Sequence, residues 1–217
     1  GHSSNGSGTD NANGPGGVGG TDGADGDNQD TVTDNPLKIV ESGWSADQQG
    51  YVHYAFALRN TSTTQQVQYP QITITGRAKD GSIVFSQAQT LNMAFPNQTV
   101  YDAGQAGEGT APETVDFTVL NPDTYNVAKA QGAVTFPISG TSKIDNRDGG
   151  TTFNGEVRAV ADGFKPSDGQ QIKISLVLRN AQNAIIYGDI AFVDWPGNGR
   201  STPFSITVYD LPKYEIG

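Results

Sequence analysis

The sequence predicts an all-β protein with two tandem β-sandwich domains preceded by a disordered tail. Three observations support this prediction. Apolar and polar residues alternate in short runs from Leu37 onward, one pattern recurs about 100 residues along the chain, and the first 36 residues are too polar to fold. The chain has 217 residues, of which 35% are hydrophobic, a length that suits one or two domains.

Residues 1–36 have the composition of a flexible tether. They contain six aspartates, four aliphatic residues and no lysine or arginine, and so carry six of the ten net negative charges of the chain. Such a segment cannot bury enough apolar surface to offset the entropy lost on ordering. If an EF-hand calcium loop started at Asp25 in the acidic stretch Asp22–Asp30, its position 6 would be Asp30 instead of the required glycine, and no glutamate follows at position 12. We therefore expect a disordered, solvated Gly/Asp-rich tether.

Beyond the tether, the period of the hydrophobic pattern is two. The alternation is clear in Val52–Leu58, Val115–Val119, Gln171–Leu178 and Phe204–Val208. This period places one side chain in a core and the next in water, and β-branched and aromatic residues are frequent in these runs. Because no long segment has helical periodicity, strands are predicted throughout.

One stretch of sequence is repeated in outline. RAKDGSIVF at Arg77–Phe85 and RNAQNAIIY at Arg179–Tyr187 share their pattern without a gap, 102 residues apart. The pair Asp80–Gly81 predicts a two-residue type I′ hairpin turn, which needs positive φ at both central positions. Gln182–Asn183 occupies the same place in the second copy, and its glutamine suits such a turn poorly.

The match extends beyond the hairpin. Ala94–Asn97 lies opposite Asp194–Gly197 at an offset of 100, and we expect Phe117–Val119 and Phe204–Val208 to be the closing strands of the two copies. One repeat is then about 90–100 residues long, the size of one immunoglobulin-like sandwich.

The domain boundary is predicted in the turn-rich segment Asn121–Asn126. Residues 37–123 would form the first sandwich and residues 124–217 the second.

Three motifs in succession resemble a known type of domain. They are ALRN at Ala57–Asn60, DGSIV at Asp80–Val84 and PFSI at Pro203–Ile206. Together they resemble the FxLYD-type immunoglobulin-like domains of bacterial exported proteins and lipoproteins, although Gln182–Asn183 departs from the Asp-Gly turn. The resemblance implies about seven strands per domain, a location outside the membrane, no catalysis and no cofactor. It also implies that the tail follows a signal peptide or a lipid-anchored cysteine upstream.

Few residues offer catalytic or metal-binding chemistry. The chain has no cysteine, and His53 is the only histidine in the predicted domains. A zinc site needs several such ligands, and a Ser–His–Asp relay would depend on His53 alone. We therefore predict no enzyme, cofactor or metal site, although 23 acidic residues leave a glycosidase-type carboxylate pair open. His53 lies on the outward face of a predicted strand with Tyr51 and Arg59, and these three are candidate surface-binding residues.

Charge and hydropathy narrow the possible partners. The net charge of −10 disfavours nucleic acid, and no apolar run approaches the ~20 residues that span a membrane. With nucleic acid and a membrane span disfavoured, the FxLYD-type resemblance implies a non-catalytic extracellular module of a bacterial secreted or surface-anchored protein, structural or protein-binding. Its expected partner is another surface protein or a cell-wall glycan, and the alternative is a carbohydrate-binding sandwich.

The two tryptophans bear on that alternative, since exposed aromatic faces commonly hold sugars. At an offset of 100, Trp195 lies opposite Phe95 and Trp44 lies opposite Ile144. Because the other copy keeps a large apolar residue in each place, both tryptophans are predicted to pack in cores and not to form a glycan platform.

Overall fold

The computed structural model describes residues 31–166 and 169–215, and these residues are nearly all β. They contain sixteen strands, one 3-10 turn (Thr124–Asn126) and no α-helix. The first group of strands is β1 (Leu37–Ala46), β2 (Val52–Asn60), β3 (Gln65–Gln68), β4 (Gln71–Arg77), β5 (Ile83–Thr90), β6 (Met93–Ala94), β7 (Thr99–Ala106), β8 (Thr114–Val119) and β9 (Val127–Lys129). The second group is β10 (Ala133–Thr135), β11 (Ile138–Asp145), β12 (Thr151–Arg158), β13 (Val160–Asp162), β14 (Gln171–Arg179), β15 (Ile185–Asp194) and β16 (Ser201–Val208).

The first sandwich packs two antiparallel three-stranded sheets, ordered β1-β2-β7 and β5-β4-β8. The alternate residues Tyr54, Phe56 and Leu58 of β2 are fully buried against Ile72 and Ile74 of β4. These residues are the core-facing positions of the alternating pattern in the sequence. Burial of each such side chain stabilises the fold by roughly 1.5–3 kcal/mol. A small sheet, ordered β6-β3-β9, closes one side.

The second sandwich repeats this plan with fewer strands. Its sheets are ordered β11-β12-β16 and β14-β15, with β10 and β13 paired beside them. Val157, Ile174, Leu178 and Ile206 are buried in its core. The predicted all-β fold of two sandwiches in series is therefore confirmed.

The repeated hairpin has the same structure in both copies, but the predicted type I′ turn is wrong. In the first copy the amides of Ala78 and Gly81 bond the carbonyls of Ser82 and Ala78, and the same bonds recur 102 residues later. Only Gly81 (φ 88°) and its counterpart Asn183 (φ 68°) have positive φ. The loop therefore has three residues, a type I turn followed by one left-handed residue. Gln182 needs no unusual conformation.

Two further pairs of corresponding turns support the duplication. Asn97 and Gly197, matched in the sequence at an offset of 100, both have positive φ (61° and 105°). The turns that start at Asp47 and Asn146 also share one hydrogen-bond pattern, and they are 99 residues apart.

The predicted equivalence of the closing strands is wrong. β16 pairs with β12 just as β7 pairs with β2, so β16 corresponds to β7 and not to β8. Alternating apolar residues occur in every strand, so the short pattern shared by Phe117–Val119 and Phe204–Val208 does not distinguish one strand from another.

The first sandwich extends past the predicted boundary. β9 pairs with β3, so the chain crosses to the second sandwich between Lys129 and Ala133 instead of near residue 123. The last residues of the predicted tether also contact the first sandwich: Thr31 bridges Asp123, and the Val32 amide donates to the Pro122 carbonyl (3.1 Å). Residues 1–30 of the tether lie outside the described residues.

The left-handed residue of the second hairpin can be tested by substitution. Replacing Asn183 with alanine should cost about 1 kcal/mol, since alanine tolerates positive φ poorly, whereas Asn183→Gly should cost nothing. The Asn183→Ala midpoint of thermal unfolding should fall by about 3 °C. Gln182→Ala is the matched control, and an equal loss in the control would contradict this account of the turn.

Candidate functional site

The two sandwiches pack directly against each other. The outward face of the β1-β2-β7 sheet is covered by β14 and β15 of the second sandwich, and Ala55 and Ala103 meet Ile185 and Ile190 there in a separate apolar cluster. All four side chains are buried. The alanines leave room for the isoleucines, so the two sheets approach closely.

Two glycines make this approach possible. A Cβ atom on Gly43 would lie 1.8 Å from the carbonyl oxygen of Ile185, and one on Gly188 would lie 2.1 Å from that of Tyr54. Both distances are far inside van der Waals contact, and in each case the obstacle is backbone of the other sandwich. Neither glycine has positive φ, so close contact is the reason for a glycine here.

This interface changes the interpretation of the candidate residues Tyr51, His53 and Arg59. The side chain of His53 is only 12% exposed; its Nε2 lies 2.8 Å from Asp47 Oδ2, and its ring stacks on Tyr187 of the second sandwich at 4.8 Å. The expectation that the outward face of the strand leaves His53 at an open surface is therefore wrong. Period-two alternation shows that one face of a strand points away from its own core, but it does not show whether that face contacts water or a second domain.

Tyr51 and Arg59 do not join His53 in one exposed patch. They are eight residues apart on an extended chain, or about 26 Å, and Ala55 and Ala57 between them are fully buried. Each is partly exposed near one end of β2, and Arg59 donates to the carbonyl of Asn97 (3.1 Å).

A buried polar network crosses from one sandwich to the other. Lys173 Nζ of β14 lies 2.8 Å from Oδ1 of the buried Asp102 on β7. Gln89 donates to Asp102 Oδ2 (3.0 Å) and accepts from the Tyr54 hydroxyl (2.9 Å). Burial, with the nearby Asp102 charge, raises the pKa of Tyr54 well above its usual range, so its hydroxyl remains a donor. The network therefore satisfies a carboxylate that would be costly to bury alone.

A second ion pair lies at the edge of the interface. Arg179 on β14 binds Glu41 on β1, with its Nη2 3.0 Å from Glu41 Oε2, and Tyr101 donates to the same oxygen (3.1 Å). The hydrogen bond from the guanidinium holds the pKa of Glu41 below its usual value. The sequence does not indicate that Lys173 and Asp102 are partners, because each is a single polar residue in the alternating pattern of its own strand.

The tryptophans pack against the two cores as predicted, although one alignment was wrong. Trp195 packs on the second core and meets Phe136 edge-on at 5.8 Å, and its counterpart Phe95 is buried. Trp44 packs partly buried on the first core. Its predicted counterpart Ile144 is 55% exposed, and the 99-residue spacing of the turns that follow, at Asp47 and Asn146, shows that Trp44 corresponds to the residue before Ile144.

Other surfaces offer little chemistry. A shallow, open depression of about 520 Å³ lies beside β11, lined in part by Lys143, Asp145 and Tyr214. Among the described residues no three His, Asp or Glu side chains are grouped to hold a metal ion. Within the same residues, no helix has the length and apolarity to cross a membrane.

Comparison with protein-family models, curated proteins and solved structures finds no match to the chain.

The close approach at Gly43 predicts the effect of a single methyl group. Gly43→Ala should force the sheets apart, at a cost of roughly 1–3 kcal/mol, and leave the partly exposed crossing segment after Lys129 freer to move. Trypsin should then cleave there faster than in the parent protein. Ser42→Ala, on an exposed neighbouring residue, is the control. Unchanged cleavage in Gly43→Ala would contradict the interface.

The buried charge pair predicts unequal effects of removing two lysines. Lys173→Met leaves Asp102 buried without its cation and should lower the free energy of unfolding in urea by roughly 3 kcal/mol. Lys143→Met removes a lysine whose partner Asp145 is 71% exposed, and should cost less than about 1 kcal/mol. Adding Asp102→Asn to Lys173→Met should restore part of the loss, and losses of equal size for the two lysines would refute the network.

Proposed function

We propose that this chain is a non-catalytic extracellular module with a structural or protein-binding role. The observation that carries the proposal is the interface between the sandwiches. It uses His53, Asp102 and Lys173, the groups best suited to chemistry, to hold two domains together. Among the described residues, the surface outside that interface is mainly strand surface with shallow relief, a kind of surface suited to contacting another macromolecule.

The distribution of carboxylates supports a role without catalysis. A glycosidase needs two carboxyl groups facing each other across a bound sugar, about 5–10 Å apart. The buried carboxylates are Asp102, which pairs with Lys173, and Asp189, whose Oδ1 accepts the amide of Ile190 (2.8 Å). Both are buried, and Asp102 is held by the cation of Lys173 instead of facing a cleft that could take a sugar.

The proposal includes a location outside a bacterial cell, either secreted or anchored to its surface by a lipid upstream. Support for it comes from the FxLYD-type resemblance and the composition of residues 1–36. Since Thr31 and Val32 bond the first sandwich near Asp123, the tether would leave the folded body at that point.

A carbohydrate-binding sandwich is the second candidate. The observation in its favour is the aromatic pair of Phe136, which is 36% exposed, and Trp195. Sugar rings stack on aromatic faces, but in this pair the edge-on contact between the rings and the packing of Trp195 on the core reduce the free face.

The two candidates predict different binding to bacterial cells. Fluorescently labelled protein should bind cells of the source organism, and protease treatment of the cells should abolish binding while glycosidase treatment leaves it intact. A glycan array should show no hits. Array hits that disappear in Trp195→Ala would favour the carbohydrate candidate, and turnover of a glycoside substrate would refute a non-catalytic module.

A further inference from the structure

Tyr69 has a backbone conformation that is unusual for its residue type. Its φ of 55° lies in the left-handed region, which glycine and asparagine enter readily and a bulky residue rarely does. Hydrogen bonds hold this conformation on both sides. The amide of Tyr69 donates to the carbonyl of Asn92 (2.9 Å), and the carbonyl of the buried Pro70 accepts the amide of Leu91 (2.9 Å). The surrounding structure therefore keeps Tyr69 in a strained conformation.

The side chain of Tyr69 does not offset this strain by packing. It is 52% exposed, and within the described part of the chain it makes no hydrogen bond, ion pair or ring contact. Asparagine or glycine would suit the turn better, so the fold gives no reason for a tyrosine here. Strained residues cluster at binding positions, and an exposed aromatic ring offers a large contact area. We therefore infer that the ring has a partner outside the chain.

A second exposed tyrosine lies at the same end of the small β6-β3-β9 sheet. Val67 of β3 pairs with Val127 of β9 in an antiparallel ladder. Tyr69 follows Val67 by two residues and Tyr125 precedes Val127 by two, so both leave the ladder at one end. Tyr125 is 79% exposed, and the partly exposed Met93 pairs with the residue before Tyr69. We call Tyr69, Met93 and Tyr125 the tyrosine surface.

The surroundings of the tyrosine surface are acidic. Main-chain hydrogen bonds connect the segments that meet there, and the charged residues of these segments are Asp34 and Asp123; the segments are residues 31–37, 66–72, 90–94 and 120–127. The whole of residues 31–129 has five lysines and arginines against nine aspartates and glutamates. Residues 1–30 add five aspartates and no lysine or arginine, and they continue into Thr31, which bridges Asp123. This charge favours a cationic partner.

We propose that the tyrosine surface binds an arginine-containing, cationic segment of a partner protein. Guanidinium groups stack on tyrosine rings, and tyrosine, methionine and arginine are all enriched at protein interfaces. Asp34 and Asp123 would pair with further cations of the segment. The proposal rests on the protein-binding function proposed above and specifies the kind of partner.

A short peptide of alternating arginine and glycine residues is the probe. Added to the intact chain, it should bind saturably and shift the ring NMR signals of Tyr69 and Tyr125. Tyr69→Asn should weaken binding about threefold, and adding Tyr125→Ala should bring the loss to about tenfold. Ile83→Ala, at a residue 60% exposed at the far end of β5, is the control and should leave binding unchanged. Equal affinities of the double variant and the parent would overturn the proposal.

Thermal unfolding of Tyr69→Asn separates a binding role from a structural one. Asparagine accepts the left-handed conformation, so the midpoint of unfolding should stay the same or rise while peptide binding falls. A midpoint lower by several degrees would show that Tyr69 stabilises the fold, contrary to the proposal.

Replacing the five aspartates of residues 1–30 with asparagine distinguishes a specific site from attraction by charge alone. Binding should weaken, but Tyr69→Asn should still lower the affinity about threefold in this background. If it has no effect there, charge alone binds the peptide and the site is wrong. Self-association or glycan-array hits that disappear in Tyr69→Asn would identify a second copy or a sugar as the occupant and would also refute a cationic segment.

The site and the proposed function can fail separately. If the parent chain binds cells in a protease-sensitive way and the Tyr69→Asn, Tyr125→Ala double variant binds them equally well, the tyrosine surface is wrong and the protein-binding function stands. If the parent chain binds the arginine peptide through both tyrosines but binds no cells, the site stands and the cell-surface function is wrong.

Discussion

The close contact of two β-sheets at Gly43 and Gly188 is the constraint on which the rest of the molecule depends. Backbone of one sandwich occupies the space where a side chain of the other would be, so the domains cannot shift without separating. The alanines of β2 and β7 and the isoleucines of β15 fill the remaining volume. Interiors tolerate little change in volume, so this packing makes two similar domains into one rigid body.

Two ion pairs restrict the relative orientation of the sandwiches at this apolar contact. Lys173 reaches the buried Asp102, and Arg179 binds Glu41, so the two ion pairs lie at different places along β14. A buried carboxylate has a partner only in the observed arrangement, since an unpaired charge there would cost several kcal/mol. The pairs therefore select one orientation.

The sequence predicted the fold class and the duplication because both depend on local patterns. Alternation identified the strands, and the matched hairpins have the same bonds 102 residues apart. Prediction from local patterns failed wherever the surroundings of a residue depended on the other domain. Nothing in the run around His53 shows that its outward face meets Tyr187, and nothing in the run around Lys173 points to Asp102. The pairing of β9 with β3 is likewise a long-range contact with no local signal.

The contact between the sandwiches joins different faces of two related domains. The first presents its β1-β2-β7 sheet and the second its β14–β15 sheet, so the arrangement is head-to-tail, a type of contact that can propagate into filaments. The second sandwich, however, has Asn154 and Glu156 on β12 where β2 has Ala55 and Ala57. A larger amide and an exposed carboxylate in those places would hold off another incoming sheet. The duplicated face has thus diverged, and on the second sandwich it is less suited to packing against a sheet of the β14–β15 kind.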